Sequence, residues 1–209
     1  MLNWSKRKPY PQEFYEQQTV VVARELLGSY MVYDSPDGLL VARVVETEAY
    51  TGPDDPACHS ARGKKQGNAV MFGPAGRVYV YLIYGMYYCF NITTDSLTTP
   101  AAVLLRALEP LEGIGVMARR RGTDDLRNLC SGPGKLCQAL GINKDFNGLS
   151  VVTGPIRFYP PDQGAEDRAV MVGPRVGISR AADWPLRFYL EGNPFVSRVP
   201  RRYAGKRLT

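Results

Sequence analysis

The sequence predicts an α+β domain built on a curved antiparallel sheet. Three observations lead there. Runs rich in Val, Leu, Ile and Tyr recur along the chain, the helical patterns between them are short, and the two never settle into the βαβ alternation of a parallel sheet. The 209 residues are 44% hydrophobic, 11% aromatic and 22% charged, which supplies a core and excludes disordered, collagenous and disulfide-stapled classes. No repeat, low-complexity tract or Ser/Gly linker divides the chain, so one domain is expected over residues 1–209, with basic extremities at 1–10 and 198–209.

Each element has a local reason. Thr19 is placed to cap a short helix over residues 20–27, with Gly28 as its stop. Residues 29–34 and 39–50 read as strands joined by Ser35-Pro36-Asp37-Gly38, where Pro sets one φ and Gly supplies a positive one. Residues 51–76 shift to Gly, Pro, Asp and Lys, a long irregular segment of the kind that usually carries function. Strands follow at 77–84 and 86–93, hinged at Gly85, and a third at 101–108 ends before Glu109-Pro110. Helical patterns cover 111–121, 124–130 and 135–140, and further strands 156–159 and 186–190.

Charge and cysteine usage narrow the function. There are 26 Lys and Arg against 20 Asp and Glu, a net of +6. The positive groups gather at Lys6-Arg7-Lys8, Arg62 to Lys65, Arg119-Arg120-Arg121 and the acid-free tail from Arg198 to Arg207. Such patches attract phosphate backbones, or are simply solvated surface. The four cysteines form no CxxC pair, and Cys58 beside the single histidine, His59, is not a chelating spacing. Free thiols and no metal are expected. No stretch approaches 18 apolar residues and no leader is visible, so an intracellular protein without a membrane partner is expected.

Several residues could carry chemistry. Residues 79–88 hold five of the 13 tyrosines. Alternation puts Tyr79 and Tyr81 on one strand face, and strand packing suffices to explain Tyr79 and Tyr88. Tyr84, Gly85 and Met86 fall at a hairpin tip, where a bulky pair on a basic protein suits a wedge for a nucleic-acid groove. Glu46 and Glu48 share a face of an otherwise apolar strand, as a solvated pair, a salt-bridged pair or catalytic carboxylates. Ser131-Gly132-Pro133-Gly134-Lys135 opens a helix without the GxxxxGK[ST] spacing, so nucleotide hydrolysis is unsupported. It is either one phosphate contact through free amides and Lys135, or a plain helix start.

Val45-Glu-Thr-Glu-Ala-Tyr50, His59-Ser60, Tyr79-Val-Tyr-Leu-Ile-Tyr-Gly-Met86 with Asn91, Leu104-Leu-Arg-Ala-Leu-Glu-Pro110, the run from Leu129 to Leu140, and Pro185-Leu-Arg-Phe-Tyr189 together resemble the alkyladenine DNA glycosylase family, the 3-methyladenine DNA glycosylases of mammalian and Bacillus type. The likeness extends from about Pro11 to Val199. It implies a monofunctional base-excision enzyme that flips alkylated or deaminated purines from duplex DNA and leaves an abasic site. By resemblance Glu48 activates the water, while Arg106 and the backbone carbonyl of Val176 hold it. Tyr50, His59 and Tyr81 wall the base pocket and Asn91 excludes guanine. Tyr84 is the wedge. Beyond the resemblance, Met86, Tyr87, Lys64, Lys135 and Lys144 are expected to contact DNA. No cofactor is implied, and a monomer is expected.

Electron-rich rings suit a cationic or electron-poor base. No lysine occurs in the motifs that supply the pocket, which argues against a Schiff-base lyase. Two other classes compete: a non-catalytic module for damaged bases, which has no use for Glu48 and Arg106, and an enzyme of free nucleosides, which has no use for a wedge or the positive charge.

Overall fold

The first hairpin forms where its turn residues put it. Strands β1 (Tyr30–Ser35) and β2 (Gly38–Tyr50) close with Ser35 opposite Gly38, whose φ is 110°. The computed structural model describes residues 4–162 and 168–208. Ahead of the hairpin stand two short helices, α1 (Gln12–Tyr15) and α2 (Thr19–Glu25). After it come β3 (Val78–Ile83), β4 (Tyr87–Thr94) and β5 (Ala101–Glu112), helices α3 (Ile114–Arg121) and α4 (Pro133–Leu140), then β6 (Ile156–Tyr159), β7 (Val170–Gly173), β8 (Arg187–Leu190) and β9 (Lys206–Arg207).

Among the described residues the nine strands join one sheet in the order β3-β4-β5-β2-β8-β7-β9, with β1 on β2 and β6 on β1, and every pairing is antiparallel. The α+β expectation holds. The 13-residue β2 organises the sheet: β5 runs along one edge, and the other edge is taken by β1 over its first half and β8 over Glu46–Glu48. A strand that changes partner midway bends the sheet around it.

Local expectations failed where a single residue was read too strongly. Thr19 does not cap α2. Gln18 holds that position, and the Thr19 hydroxyl accepts from Thr94 Oγ1 at 3.0 Å. Pro110 does not end β5; it lies opposite Ala42 beside a bulge that leaves Leu111 unpaired, a place where a strand tolerates proline. The following helix therefore starts at Ile114, after Gly113, and not at residue 111. Residues 124–130 make only one 3₁₀ turn, Leu126–Asn128, opened by the Asp125 carboxylate, which accepts the Arg127 N–H. Helix α4 starts two residues early, at Pro133. Strands β7 and β9 were not foreseen.

The main core lies between the sheet and the helices, with Val22, Ala23 and Leu26 of the α2 segment and Leu136, Ala139 and Leu140 of α4 fully buried or nearly so. A satellite cluster of Cys58, Met71, Tyr79 and Ala102 ties the long irregular segment to the sheet. That segment contains two 3₁₀ turns, His59–Arg62 and Gln66–Phe72. The four cysteines are free and buried. No helix among the described residues is long and apolar enough to cross a membrane. Two parts of the basic charge are structural: Arg7 pairs with Asp162 at 2.7 Å, while Arg120 pairs with Asp37 and Arg121 donates to Leu129 O and Gln138.

Gly113 makes the β5–α3 corner. Its φ is 75°, and a Cβ there would meet Leu40 Cδ2 at 2.4 Å and Leu39 O at 2.7 Å. Gly113→Ala should therefore cost about 2–3 kcal/mol, read as a drop of roughly 5–10 °C in Tm. A melt within 1 °C of the parent would mean that the corner relaxes freely.

Candidate functional site: an aromatic cleft over a buried charge network

The site begins with an irregularity in the central ladder. Between β2 and β5 the pairing runs Val44–Leu108, Glu46–Ala107, Thr47–Leu105, so Val45 on one strand and Arg106 on the other are each left without an opposite number. Two consecutive bulges re-aim side chains that a regular pleat would point elsewhere. Arg106 Nε reaches Glu46 Oε1 at 3.1 Å and Arg106 Nη1 reaches Glu48 Oε1 at 3.3 Å. Both carboxylates are completely buried, which excludes the solvated pair and establishes the salt-bridged one.

Glu46 is the hub. Its Oε1 also takes Arg187 Nη1 at 2.8 Å, and its Oε2 accepts the Ser197 N–H at 2.9 Å. Arg187 is itself held by Pro174 O at 3.0 Å and by the carbonyl of Tyr203. Glu48 has a different environment. Its Oε1 accepts the Val176 N–H at 2.7 Å and its Oε2 the Tyr50 hydroxyl at 3.0 Å. Burial raises its pKa above the ordinary glutamate value, against the opposing pull of Arg106, the Val176 N–H and Tyr50. Burial also works against the charge of Arg106, but Glu48 and Glu46 more than offset it, and its pKa is raised.

Above this network opens a cleft of about 590 Å³. Tyr50, His59, Tyr81 and Asn91, the four predicted pocket residues, all border it, as does the predicted wedge Tyr84. His59 and Tyr81 meet edge to face with centroids 4.5 Å apart. His59 Nδ1 lies 2.7 Å from the Tyr79 hydroxyl, and burial followed by the charge of Arg62 lowers its pKa. Asn91 is buried and gives its amide to Tyr79 O at 3.0 Å and Cys89 O at 3.3 Å. It therefore satisfies backbone carbonyls and borders the cleft at once. Glu48 and Val176 do not line the cleft. Tyr50 does, and it links the cleft to the carboxylate.

Three supports escaped the sequence. Tyr79, read as ordinary packing, forms part of the cleft wall. Arg175 is fully buried, pairs bidentately with Asp55 and lies 4.7 Å from the Tyr50 ring centroid, so it fixes both that ring and the neighbouring Val176. Asn68 ties the irregular segment together by donating to His59 O and Gly63 O, both at 3.0 Å. No lysine occurs in the motifs that supply the pocket, but Lys65, outside them, borders the cleft as an exposed side chain, whereas Lys64 does not border it.

The hairpin tip comprises Tyr84, Gly85 and Met86, between the last pair Ile83–Tyr87. Tyr84 has φ 53°, unusual for a residue with a side chain, and is 78% exposed, while Met86 is 65% exposed. Tyr87 is exposed, and its ring lies against the backbone at Gly134, where a Cβ would approach three of its atoms at 3.1 Å. Lys135 is bonded to Asn128, and its pKa is lowered by burial and then by Arg121 and Arg198. Lys144 is exposed on a turn that packs against β3. These cations stand apart from the cleft wall. No group of three or more potential metal ligands occurs among the described residues.

An aromatic slot backed by a buried carboxylate, beside an exposed aromatic hairpin on a cationic chain, defines an enzyme that handles nucleobases. Residues 13–194 match the family profile described as Methylpurine-DNA glycosylase (MPG). A protein of Methanoculleus marisnigri, named as a proposed 3-methyladenine DNA glycosylase, is 50% identical over 190 residues, covering 90% of this chain and 98% of its own length. Proteins with the same description from Carboxydothermus hydrogenoformans and Agrobacterium fabrum are 44% and 46% identical, over 90% and 94% of this chain and 98% and 96% of theirs. The chain belongs to the methylpurine-DNA glycosylase family: it is a DNA glycosylase, a hydrolase whose substrate is DNA.

Glu46→Ala removes the shared counter-charge of two buried arginines. Loss of one partner from a buried ion pair costs about 3–5 kcal/mol, so the variant should melt at least 6 °C below the parent by the size scaling of Tm. A loss under about 1 kcal/mol would show that water replaces the carboxylate.

Proposed function

We propose that the protein is a monofunctional glycosylase of base-excision repair, acting as a monomer inside the cell, which takes alkylated and deaminated purines out of duplex DNA and hydrolyses their N-glycosidic bonds. The observation that carries this reading is Glu48. A carboxylate offers about four acceptor directions, and three are filled by Val176, Arg106 and Tyr50. The remaining one, on Oε2, is free for a water approaching past Tyr50.

In this reading the extruded purine enters between Tyr50, His59 and Tyr81, while Tyr84 occupies the gap left in the stack. Glu48 takes a proton from the water as it attacks C1′, and the departing purine leaves with the bonding electron pair. The ionised carboxylate also stabilises the oxocarbenium-like charge that develops on the sugar. Arg106 keeps Glu48 oriented and, with the Val176 carbonyl, steadies the water. A cationic or electron-poor purine both stacks well on tyrosine and leaves readily, so selection and chemistry favour the same lesions. Lys65 is exposed and lacks the burial that activates an amine as a nucleophile, which favours water over a Schiff base.

The test is Glu48→Gln, which keeps the shape and loses the basicity. Excision should fall by about 10⁴-fold or more with duplex affinity nearly unchanged, and a rate within tenfold of the parent would place the base elsewhere. Because burial raises the Glu48 pKa, the acid limb of the parent's single-turnover profile should lie above the usual carboxylate range near ~4.3. Below it the rate should fall tenfold per pH unit. An alkylated, already cationic purine is the substrate to use, since it needs no protonation to leave.

Asn91 separates binding a base from choosing one. If its side chain crowds the 2-amino group of guanine, Asn91→Ser should raise the guanine-to-hypoxanthine rate ratio by about 5- to 150-fold, equivalent to relieving 1–3 kcal/mol. If its hydrogen bonds to Tyr79 and Cys89 are all it contributes, both rates fall together and the ratio stays put.

A further inference from the structure

A second recess of about 200 Å³ adjoins the aromatic cleft. The two share a wall that includes His59 and Arg62, while Ser179 and Arg180 border the smaller recess alone. No acidic residue lines it. Among the described residues, neither guanidinium makes a hydrogen bond or an ion pair, unlike Arg106, Arg175 and Arg187, each of which is tied to a carboxylate. Burial lowers the pKa of His59, and the charge of Arg62 lowers it further.

Two different loops bring these cations together. Arg62 ends the 3₁₀ turn His59–Arg62, and Arg180 follows the Val176-Gly177 segment that feeds Glu48 its N–H. Like charges gathered around one acid-free recess repel each other and gain only when an anion lies between them. The recess also has a fixed relation to the cleft. A base and its own phosphates are separated by a single sugar, so the phosphate of a nucleotide whose base fills the cleft must lie within one nucleotide's span of it. A recess that shares a wall with the cleft meets that condition. The planar guanidinium fork suits the tetrahedral oxygens of a phosphodiester, and the Ser179 hydroxyl adds a donor.

We infer that this recess holds a phosphodiester flanking the extruded nucleotide, gripped by Arg62 and Arg180 with Ser179 as a third donor. The inference rests on the proposed excision of a base from duplex DNA and assigns the backbone contact of that same state. A phosphate grip carries no sequence or lesion information, so it should strengthen binding of every lesion alike and leave the choice of base to the cleft. It also couples grip to chemistry, because Arg180 and Val176 share one loop.

The experiment is a cycle between protein and DNA. Duplexes carry one hypoxanthine with a normal backbone, or with an uncharged methylphosphonate at the linkage immediately 5′ or 3′ of it. Affinities are measured in the Glu48→Gln background, with and without Arg62→Gln and Arg180→Gln. On the normal backbone the double substitution should weaken binding by about 10- to 100-fold and, since both arginines serve one phosphate, reduce the log–log salt slope by about 0.9. On the methylphosphonate duplex at the gripped linkage the same substitutions should change affinity by less than threefold. Both side chains are exposed and unpaired, so melting should stay unchanged. If the losses multiply at both linkages the arginines touch DNA elsewhere, and if the double substitution changes affinity on the normal backbone by less than threefold they do not touch it; either result overturns the inference. Excision by the otherwise unaltered enzyme is scored in parallel: a parent that removes no purine lesion overturns the proposed function instead.

Discussion

Burying a carboxylate without a partner is among the costliest things a fold can do, and this protein buries two of them two residues apart on its central strand. The structure around β2 follows from that constraint. Arg106 is thrown out of register by a double bulge so that it can serve both acids. Arg187 and the Ser197 N–H complete Glu46, whereas Glu48 receives only hydrogen bonds from Val176 and Tyr50 beyond its share of Arg106. The division is chemically useful. Glu46 is matched by two arginines and acts as a fixed counter-ion, whereas Glu48 shares a single arginine and is linked through the Tyr50 hydroxyl to the cleft wall.

The aromatic cleft depends on the same core. Tyr50 is the last residue of β2, and its hydroxyl, its ring and its chain neighbours are each held by different groups: Glu48 below, Arg175 4.7 Å from its ring centroid, and Asp55 through the Thr51 N–H at 3.2 Å. A stacking surface fixed at that many points is preorganised and need not be ordered when a ligand arrives. The tip of the β3–β4 hairpin is its counterpart. Tyr84 is held only by backbone geometry, at a φ that costs a side chain about 1–2 kcal/mol, and it presents its ring to solvent.

How much of this could be read from the residues varies with the kind of signal. Long strands with clear turns, such as the β1–β2 hairpin and β3–β4, were legible because periodicity and Gly or Pro agreed. Pro110 misled because a proline is tolerated beside a bulge, and bulges leave no mark in a period-2 pattern. For the same reason the encounter of Arg106 with Glu46 and Glu48 could be reached only through resemblance, and Glu46 was left without a role. Arg175 and Asp55 are 120 residues apart, and a lone Arg and a lone Asp in loop-like sequence give no hint of each other. Tyr79 was undervalued because strand packing accounted for it. Its position one alternation from Tyr81 was the available clue.

The counter-charges come late in the chain. Glu46 and Glu48 lie in the first quarter of the sequence, yet Arg187 is 141 residues and Ser197 151 residues downstream of Glu46. Tyr203, whose carbonyl restrains Arg187, is later still. Proteins made on ribosomes fold from the N-terminal side as they emerge, so β2 leaves the tunnel carrying two acids whose partners do not yet exist. The central network therefore closes only when residues 187–203 dock against β2, and a chain cut short of them leaves Glu46 buried against Arg106 alone, a carboxylate with too little counter-charge to stay in a dry centre.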